Sequence, residues 1–224
     1  MTEYSPDKKI AGILAPLSAL RGEVDLGVGD TAALVEFAAW AAKKGFSLVQ
    51  ILPVNETGSD HSPYNIISSM AFEPSTITTT PKWLPEIPQA AFEEITKKHN
   101  LESLREDGVK YSAVKALKHE LLEAGFRVFR SRKGDPVRQR AFAKFEREER
   151  DWREPYSLFR ALMAWNGHEV TSSWPQGHRT PSEAEEWAAG LPAAQKKRFR
   201  DLVRFFSYVQ WVARMQWKTV RAAF

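Results

Sequence analysis

Two short apolar runs separated by an amphipathic stretch open the chain. Residues 10–15 and 47–52 are mainly apolar, as expected of strands buried on both faces of a parallel sheet. Between them, residues 31–44 place apolar side chains on one helical face, with Asp30 positioned to cap the first turn and Gly45 to end the last. The pattern predicts a strand–helix–strand unit whose strands are parallel.

The pattern changes after Pro74. Prolines interrupt the chain before Ala90 and predict loops and short turns. Apolar positions then recur with the period of a helix over residues 89–99, 112–124, 137–149, 155–164 and 193–223, and over a shorter stretch at 182–189. Two parallel strands are not a stable sheet by themselves. We therefore expect the chain to be part of a longer α/β protein.

The composition narrows the class of protein. With 224 residues, 43% of them hydrophobic, the chain can form one large or two small domains. The absence of cysteine excludes disulfides, thiolate zinc sites and a cysteine nucleophile, and it is compatible with a reducing compartment. No apolar run approaches the roughly 20 residues that span a bilayer, and residues 1–9 do not resemble a signal peptide. We expect a cytoplasmic protein without a membrane partner.

The charge pattern argues against nucleic acid as a partner. The formal net charge is +4, from 32 basic and 28 acidic residues. A basic cluster comprises Arg127, Arg130, Arg132, Lys133, Arg138, Arg140 and Lys144, and the acidic residues Glu146, Glu148, Glu149 and Asp151 follow it directly. Nearby phenylalanines recur at helical spacing and indicate a core-facing side. We interpret the cluster as the solvated, mixed-charge surface of a helix.

The loop after the second predicted strand has the densest group of candidate binding residues. It contains Gly58, Asp60, His61, Ser62, Tyr64 and Asn65. The carboxyl ends of strands are where α/β folds place their sites. Ser62, Tyr64 and Asn65 offer hydrogen bonds, and the tyrosine ring adds a flat apolar face. This combination suits a neutral polyhydroxyl ligand better than a phosphate or a metal.

Neighbouring residues have simpler interpretations. The adjacent Asp60 and His61 favour a structural role in the loop over acid–base chemistry. Asp30 is better explained as a helix cap than as a catalyst. Gly27 and Gly29 lack the Gly-Lys-Ser/Thr ending of a phosphate-binding loop.

Several segments carry a resemblance to a known family. They are residues 12–22 (Gly-Ile-Leu-Ala-Pro-Leu-Ser-Ala-Leu-Arg-Gly), 27–30 (Gly-Val-Gly-Asp), 50–53 (Gln-Ile-Leu-Pro) and 62–68 (Ser-Pro-Tyr-Asn-Ile-Ile-Ser), followed by Ala71, Pro74, Trp174-Pro175 and residues 210–217. Across essentially the whole chain, they resemble the N-terminal part of the 4-α-glucanotransferases, the amylomaltase or disproportionating-enzyme family (glycoside hydrolase family 77). The Ser-Pro-Tyr block is the specific part of the match, whereas Gly-x-Gly-Asp alone is weak.

The resemblance implies an α/β fold with three parts. Residues 1–75 would form the first two β/α units of a (β/α)8 TIM barrel, 76–195 a mostly helical insertion, and 196–224 a long helix that returns to the barrel. It also implies transfer of 1,4-α-glucan segments to an acceptor glucan or glucose by a retaining double displacement. The family's catalytic carboxylates lie on later strands, so we expect the chain alone to be inactive, with no catalytic residue, metal or cofactor.

The same resemblance assigns substrate-binding residues and partners. Ser62 and Tyr64 would lie beside the sugar at the scissile bond, with Tyr64 stacked on a pyranose ring and Asn65 contributing to binding. The expected partners are maltooligosaccharides or 1,4-α-glucan. Trp174 is a candidate glucan platform, although packing is favoured, and four further tryptophans are expected in the core, namely Trp40, Trp165, Trp211 and Trp217.

Three residues depart from the family pattern. Val49, Met70 and Glu73 stand where the family usually has tryptophan, phenylalanine and asparagine, which indicates a divergent branch. The substrate length preference stays open. A non-catalytic carbohydrate-binding or helical interaction module is the alternative to an enzyme.

Overall fold

A computed structural model describes residues 9–131 and 133–223. The N-terminal residues 1–8, Arg132 of the basic cluster and the final Phe224 lie outside this range. The described elements are β1 (Gly12–Ala15), α1 (Thr31–Lys43), β2 (Leu48–Ile51), α2 (Gln89–Lys98), α3 (Leu101–Arg105), α4 (Tyr111–Phe129), α5 (Pro136–Glu148), α6 (Arg150–Asn166), α7 (Pro181–Gly190) and α8 (Ala193–Ala222). Short 3-10 turns cover Leu17–Ala19, Pro74–Thr76, Thr171–Ser173 and Gln176–His178.

The predicted strand–helix–strand unit is present. β1 and β2 pair in parallel, with Gly12 opposite Leu48 and Ala15 opposite Ile51. Asp30 caps α1, since its Oδ1 accepts hydrogen bonds from two backbone N–H groups of the first turn. A short parallel pair with its crossover helix is therefore confirmed.

The pattern predicts strands buried on both faces, but within the described residues one face of each strand is exposed. Burial alternates along each strand, and the exposed fractions reach 58% for Leu14 and 48% for Leu48. Successive side chains of a strand point to opposite faces. Ala15, Val49 and Ile51 pack against a cluster supplied by α1 and α8, so one face is covered while the other is exposed.

The predicted helices are all present, with shifted ends. The apolar periodicity predicts a helix that begins at Pro155. The helix instead starts at Arg150 and contains Pro155, whose missing N–H costs one internal hydrogen bond. The sequence did not indicate α3, which begins after Asn100 in the left-handed conformation (φ 50°). Five residues are too few to show a helical period.

α8 forms the centre of the helical part. Its Tyr208 and Trp211 are buried among aromatic side chains of α4 and α5, with ring centroids 4.9 Å apart for Phe129–Tyr208 and 5.6 Å for Phe142–Trp211. The same helix contacts α1. The long helix therefore joins the helical part to the strand–helix–strand unit.

Two glutamines of α8 hold the backbone on either side of the Pro74–Thr76 turn. Gln210 pairs through its amide with both backbone groups of Phe72, at 2.8 and 2.9 Å. Gln216 pairs with Thr78 in the same way, at 2.9 and 2.8 Å. A primary amide has both N–H donors and a carbonyl acceptor, so it can pair with the N–H and the C=O of one residue at the same time. Each glutamine thus satisfies backbone groups that would otherwise be buried without partners.

The Gly-Val-Gly-Asp segment packs closely against the backbone of neighbouring segments. A Cβ at Gly29 would lie 1.9 Å from the carbonyl oxygen of Leu17, and one at Gly27 (φ 92°) would lie 2.5 Å from that of Leu104. Asp30 also accepts a hydrogen bond from the buried Lys118 at 3.2 Å. The glycines are required by backbone contact, which explains the motif without a phosphate.

The tryptophan predictions have mixed outcomes. Trp211 and Trp217 are buried, and Trp165 packs against the core, as predicted. Trp40 is 47% exposed, so its assignment to the core is wrong. It lies outside the buried face of α1, and its ring stacks on Phe37 and Phe46. Trp174 is 1% exposed, and its Nε1 donates to the carbonyl of His168, which confirms packing over a role as sugar platform.

Three of the described members of the basic cluster have acidic partners. Arg130 pairs with Asp201 at 2.7 Å, Lys144 with Glu148 at 3.6 Å, and Arg138 with Glu86. These pairs agree with a mixed-charge surface. Across residues 9–131 and 133–223, we find no helix that is long and apolar enough to cross a membrane.

Candidate functional site

The loop between β2 and the Pro74–Thr76 turn folds back on itself, and its outgoing and returning segments, which we call its two legs, run antiparallel. Bridges join Asn55 to Phe72 and Thr57 to Ile66. The legs are held by backbone hydrogen bonds from Glu73 to Val54 (2.8 Å) and between residues 56 and 67 (2.8 Å). We call residues 58–65 the loop tip. The loop tip is therefore held at the carboxyl end of β2 by two hydrogen-bonded legs.

Asp60 organises the loop tip. Its Oδ1 accepts from the backbone N–H of Ser62 at 3.1 Å, and its Oδ2 accepts from Asn65 Nδ2 at 2.8 Å. Ser62 Oγ in turn accepts from the backbone N–H of Tyr64 at 3.3 Å. The Asn65 hydrogen bond, followed by that from Ser62, lowers the pKa of the Asp60 carboxyl. This geometry is that of a loop-forming aspartate.

The three predicted substrate-binding residues lie together at the loop tip. Tyr64 is 75% exposed, and no described aromatic ring pairs with it. Its ring thus offers a free face to a ligand. Ser62 and Asn65 flank it and are fixed by Asp60. Their contact with a sugar stays a prediction.

His61 contacts the first turn of α4. It adopts a left-handed backbone conformation (φ 57°), and its ring stacks on Tyr111, with centroids 5.0 Å apart. Tyr111, the first residue of α4, also donates from its hydroxyl to Ser18 Oγ at 3.0 Å. The positions of Asp60 and His61 agree with a structural role for both.

A cavity of about 210 Å³ lies beneath the loop and is bordered by α4, α6 and α8. Its charged lining includes Glu56, Glu73, Lys115, Arg160 and Glu169. These residues come from four separate parts of the chain, so no local sequence pattern groups them. Glu73 alone stands out in the sequence, as a departure from the family pattern.

Glu73 is held ionised by its partners. Burial opposes ionisation, but Lys115 at 3.1 Å and hydrogen bonds from Thr57 and Ser75 lower the pKa of the Glu73 carboxyl. Thr57 donates both its backbone N–H (3.0 Å) and its hydroxyl (2.9 Å). A neutral asparagine could not provide this carboxylate for Lys115. Glu73 thus ties together the two legs of the loop and α4.

Glu56 behaves in the opposite way. Burial raises the pKa of its carboxyl, and Arg160, 3.0 Å away, only partly offsets this effect. The Tyr156 hydroxyl donates to the other carboxylate oxygen and accepts from Gln210 Nε2 at 3.0 Å. Both carboxylates are engaged by protein partners, so we interpret them as ties between the loop and the helices. Among the described residues, no group of His, Asp or Glu side chains is arranged to hold a metal ion.

Comparison with known proteins decides the family. A family model described as 4-alpha-glucanotransferase matches residues 15–224. The chain belongs to the 4-alpha-glucanotransferase family. This confirms the resemblance read from the Ser-Pro-Tyr block and the other motifs.

Individual family members match the chain over almost its whole length. The 4-alpha-glucanotransferase of Chlamydia pneumoniae is 33% identical over 213 residues, which are 94% of this chain and 38% of the relative. That of Thermus thermophilus is 29% identical over 211 residues, covering 94% of this chain and 39% of the relative. The chain thus spans less than half the length of these curated relatives.

Solved structures of two amylomaltases share the fold. An amylomaltase from Streptococcus agalactiae in complex with acarbose superposes with a TM-score of 0.74 at 20% identity, covering 96% of this chain and 41% of that one. An amylomaltase from Corynebacterium glutamicum gives a TM-score of 0.67 at 20% identity, covering 96% of this chain and 28% of that one. The α/β architecture, with its two-stranded parallel sheet and many helices, is therefore that of an amylomaltase segment.

Proposed function

We propose that this chain supplies the N-terminal part of a 4-α-glucanotransferase, which transfers 1,4-α-glucan segments to an acceptor glucan or to glucose. Family membership supports the activity, and the loop tip supports a role in binding. Acarbose in the Streptococcus agalactiae structure shows that a related amylomaltase takes an oligosaccharide-like ligand. Maltooligosaccharides or 1,4-α-glucan are the corresponding substrates here.

The proposed architecture follows the three parts expected from the sequence. Residues 1–75 contribute the first two β/α units of a (β/α)8 barrel, 76–195 a helical insertion, and 196–224 the returning helix. The parallel β1–β2 pair and its uncovered face support this arrangement, because strands of such a barrel are buried on both faces. The boundary at 195/196 falls within the first turn of α8 (Ala193–Ala222), which serves both neighbouring parts.

The proposed mechanism divides the work between this chain and later strands. In retaining enzymes of this kind, a carboxylate attacks the anomeric carbon while a carboxylic acid protonates the leaving oxygen. The acceptor 4-hydroxyl then displaces the enzyme, and two inversions retain the α configuration. The resemblance gives those carboxylates to strands beyond residue 224. Ser62, Tyr64 and Asn65 bind and orient the sugar, and no metal or organic cofactor is required. The cytoplasmic location stays a prediction.

The exposed Tyr64 ring on its braced loop tip is the observation that carries this proposal. A stacked ring that aligns the sugar at the reacting bond acts through orientation, so its loss lowers the rate as well as binding. Aromatic stacking is worth on the order of 1–3 kcal/mol by analogy with stacked bases, which corresponds to roughly ten- to hundredfold in rate.

The test uses the completed enzyme, here residues 1–224 fused at the aligned position to the remaining part of the Chlamydia pneumoniae relative. Tyr64→Ala should lower kcat/KM for maltotriose disproportionation roughly ten- to hundredfold, while Tyr64→Phe, which keeps the ring, should stay within about threefold. Ser62→Ala should lower kcat/KM by less than Tyr64→Ala does, because it removes about one hydrogen bond. If His61→Ala abolished turnover while Tyr64→Ala left it intact, Tyr64 would not be the sugar platform.

A further inference from the structure

We propose that Tyr111 and Glu169 are positioning residues that hold the loop tip in its sugar-binding shape. This inference rests on the proposed function, because the loop tip carries Tyr64. Both residues belong to the part of the chain that the proposal describes as a helical insertion. That part would therefore act on the site directly, through two side chains that touch no substrate.

Tyr111 connects the loops that follow both strands. Its ring stacks on His61 of the β2 loop, with an interplanar angle of 21°, and its hydroxyl donates to Ser18 of the loop after β1 at 3.0 Å. Tyr111 is the first residue of α4, a helix anchored in the core by Leu117 and Leu121. The stack therefore fixes one point of the loop tip to a helix that is anchored in the core.

Glu169 holds a second point of the same tip. Its Oε1 accepts from Ser59 Oγ at 2.6 Å and from the Ser59 backbone N–H at 3.4 Å. Glu169 lies in the connection after α6, where the neighbouring Trp174 is buried and bonded to His168. A hydrogen bond to a charged acceptor is among the stronger kinds.

The two contacts enclose the residue that organises the tip. Ser59 and His61 are the chain neighbours of Asp60, and Asp60 positions Ser62 and Asn65 on either side of Tyr64. A displacement at Ser59 or His61 is thus passed to the Tyr64 ring through two hydrogen bonds. Orientation errors of about 1 Å are sufficient to slow an enzymatic reaction strongly.

The first measurement is hydrogen exchange on the 224-residue chain itself. The backbone N–H groups of Gly58, His61, Ser62 and Asn65 each have an acceptor within the tip, so their exchange rates report its opening. Glu169→Ala and Tyr111→Ala should each speed exchange at these amides by about fivefold or more, while amides in the middle of α8 stay unchanged. Glu186→Ala, on an exposed position of α7, is the matched control.

The second measurement is turnover of maltotriose by the completed enzyme. Glu169→Ala and Tyr111→Ala should lower kcat about three- to tenfold with a smaller change in KM. Glu169→Gln, which keeps an acceptor for Ser59, should restore most of the rate, and so should Tyr111→Phe, which keeps the stack.

The outcomes separate this inference from the proposed function. Unchanged exchange at the tip in both alanine variants would overturn the positioning role, whatever the turnover. It would also be overturned if Tyr64→Ala slowed turnover while Glu169→Ala and Tyr111→Ala did not. Exchange at the tip could instead become faster in the two alanine variants while Tyr64→Ala leaves turnover unchanged. That result would support the positioning of the loop and overturn the sugar-binding role of Tyr64.

Discussion

The strand–helix–strand unit and the helical part of this chain differ in how completely they are buried. In the helical part, side chains such as Phe142, Leu117 and Tyr208 have no exposed surface at all. In the sheet, Leu14 and Leu48 leave about half of their surface exposed, at 58% and 48%. The stability of the described chain therefore resides mainly in the helices around α8, although the candidate site lies on a loop of the sheet.

This difference explains why the loop is tied to the helices so many times. Glu73 pairs with Lys115, Glu56 with Arg160, and Gln210 with the backbone of Phe72. Each of these contacts joins a group in or next to the loop to a helix with buried core-facing side chains. A weakly packed element can present a well-defined site when its neighbours hold it.

The largest expected difference between the two regions is in core truncation. Phe142→Ala should lower the free energy of unfolding by about 3–5 kcal/mol, because it opens a cavity in a fully packed cluster. Leu14→Ala should lower it by less than about 1 kcal/mol, because its side chain is already more than half exposed. Urea unfolding of both variants measures the contrast. Equal losses would show that the sheet is packed as well as the helices.

Removal of the buried ion pair that joins the two regions should have an effect of similar size. Lys118 on α4 pairs with Asp30 at the start of α1 at 3.2 Å, and both side chains are 1% exposed. Lys118→Met leaves the Asp30 carboxylate without its countercharge, so we expect a loss of about 3–5 kcal/mol. The control Lys144→Met breaks an exposed pair with Glu148 and should cost less than about 1 kcal/mol. A loss at Lys118 no larger than the control would mean that the two regions are not joined there.

The local features of the chain could be predicted from the sequence. The two strands, α1 with its Asp30 cap and the long α8 depend on periodicity and on neighbouring residues. The ties could not be predicted, because their partners are distant in sequence. Lys118 and Asp30 are 88 residues apart, and Gln210 and Phe72 are 138 apart. The exposure of Trp40 and of the strands also depends on which neighbours are present.

The candidate site was predicted in part for the same reason. The Ser-Pro-Tyr block indicated Ser62, Tyr64 and Asn65 because its residues are contiguous. Nothing in the local pattern indicated that Tyr111 would stack on His61 or that Glu169 would reach Ser59. The residues of the loop tip are contiguous in the sequence, but the residues that support the tip come together only in the folded chain.

The smallest expected effects concern pH and distinguish the two carboxylates of the loop. Burial raises the pKa of Glu56 above its usual 4.5, so its stabilising contribution is present at lower pH and is lost as the pH rises through the raised pKa. The pKa of Glu73 is lowered, so its contribution is present above pH 4.5 and is lost as the pH falls through the lowered pKa.

Melting temperatures measured from acid to neutral pH test this pair. Relative to the unmodified chain, Glu56→Gln should gain stability as the pH rises above 4.5. The deficit of Glu73→Gln should shrink as the pH falls below 4.5. Curves that stay parallel for both variants would mean that neither carboxyl has a shifted pKa.

We propose that this chain presents the sugar-binding loop of a 4-α-glucanotransferase while the catalytic carboxylates lie elsewhere in the enzyme. The decisive measurement is maltotriose disproportionation by residues 1–224, made beside the completed enzyme. We expect no glucose or longer maltooligosaccharide from the 224-residue chain and ready formation of both by the completed enzyme. Turnover by the 224-residue chain alone would show that its own residues suffice for the reaction.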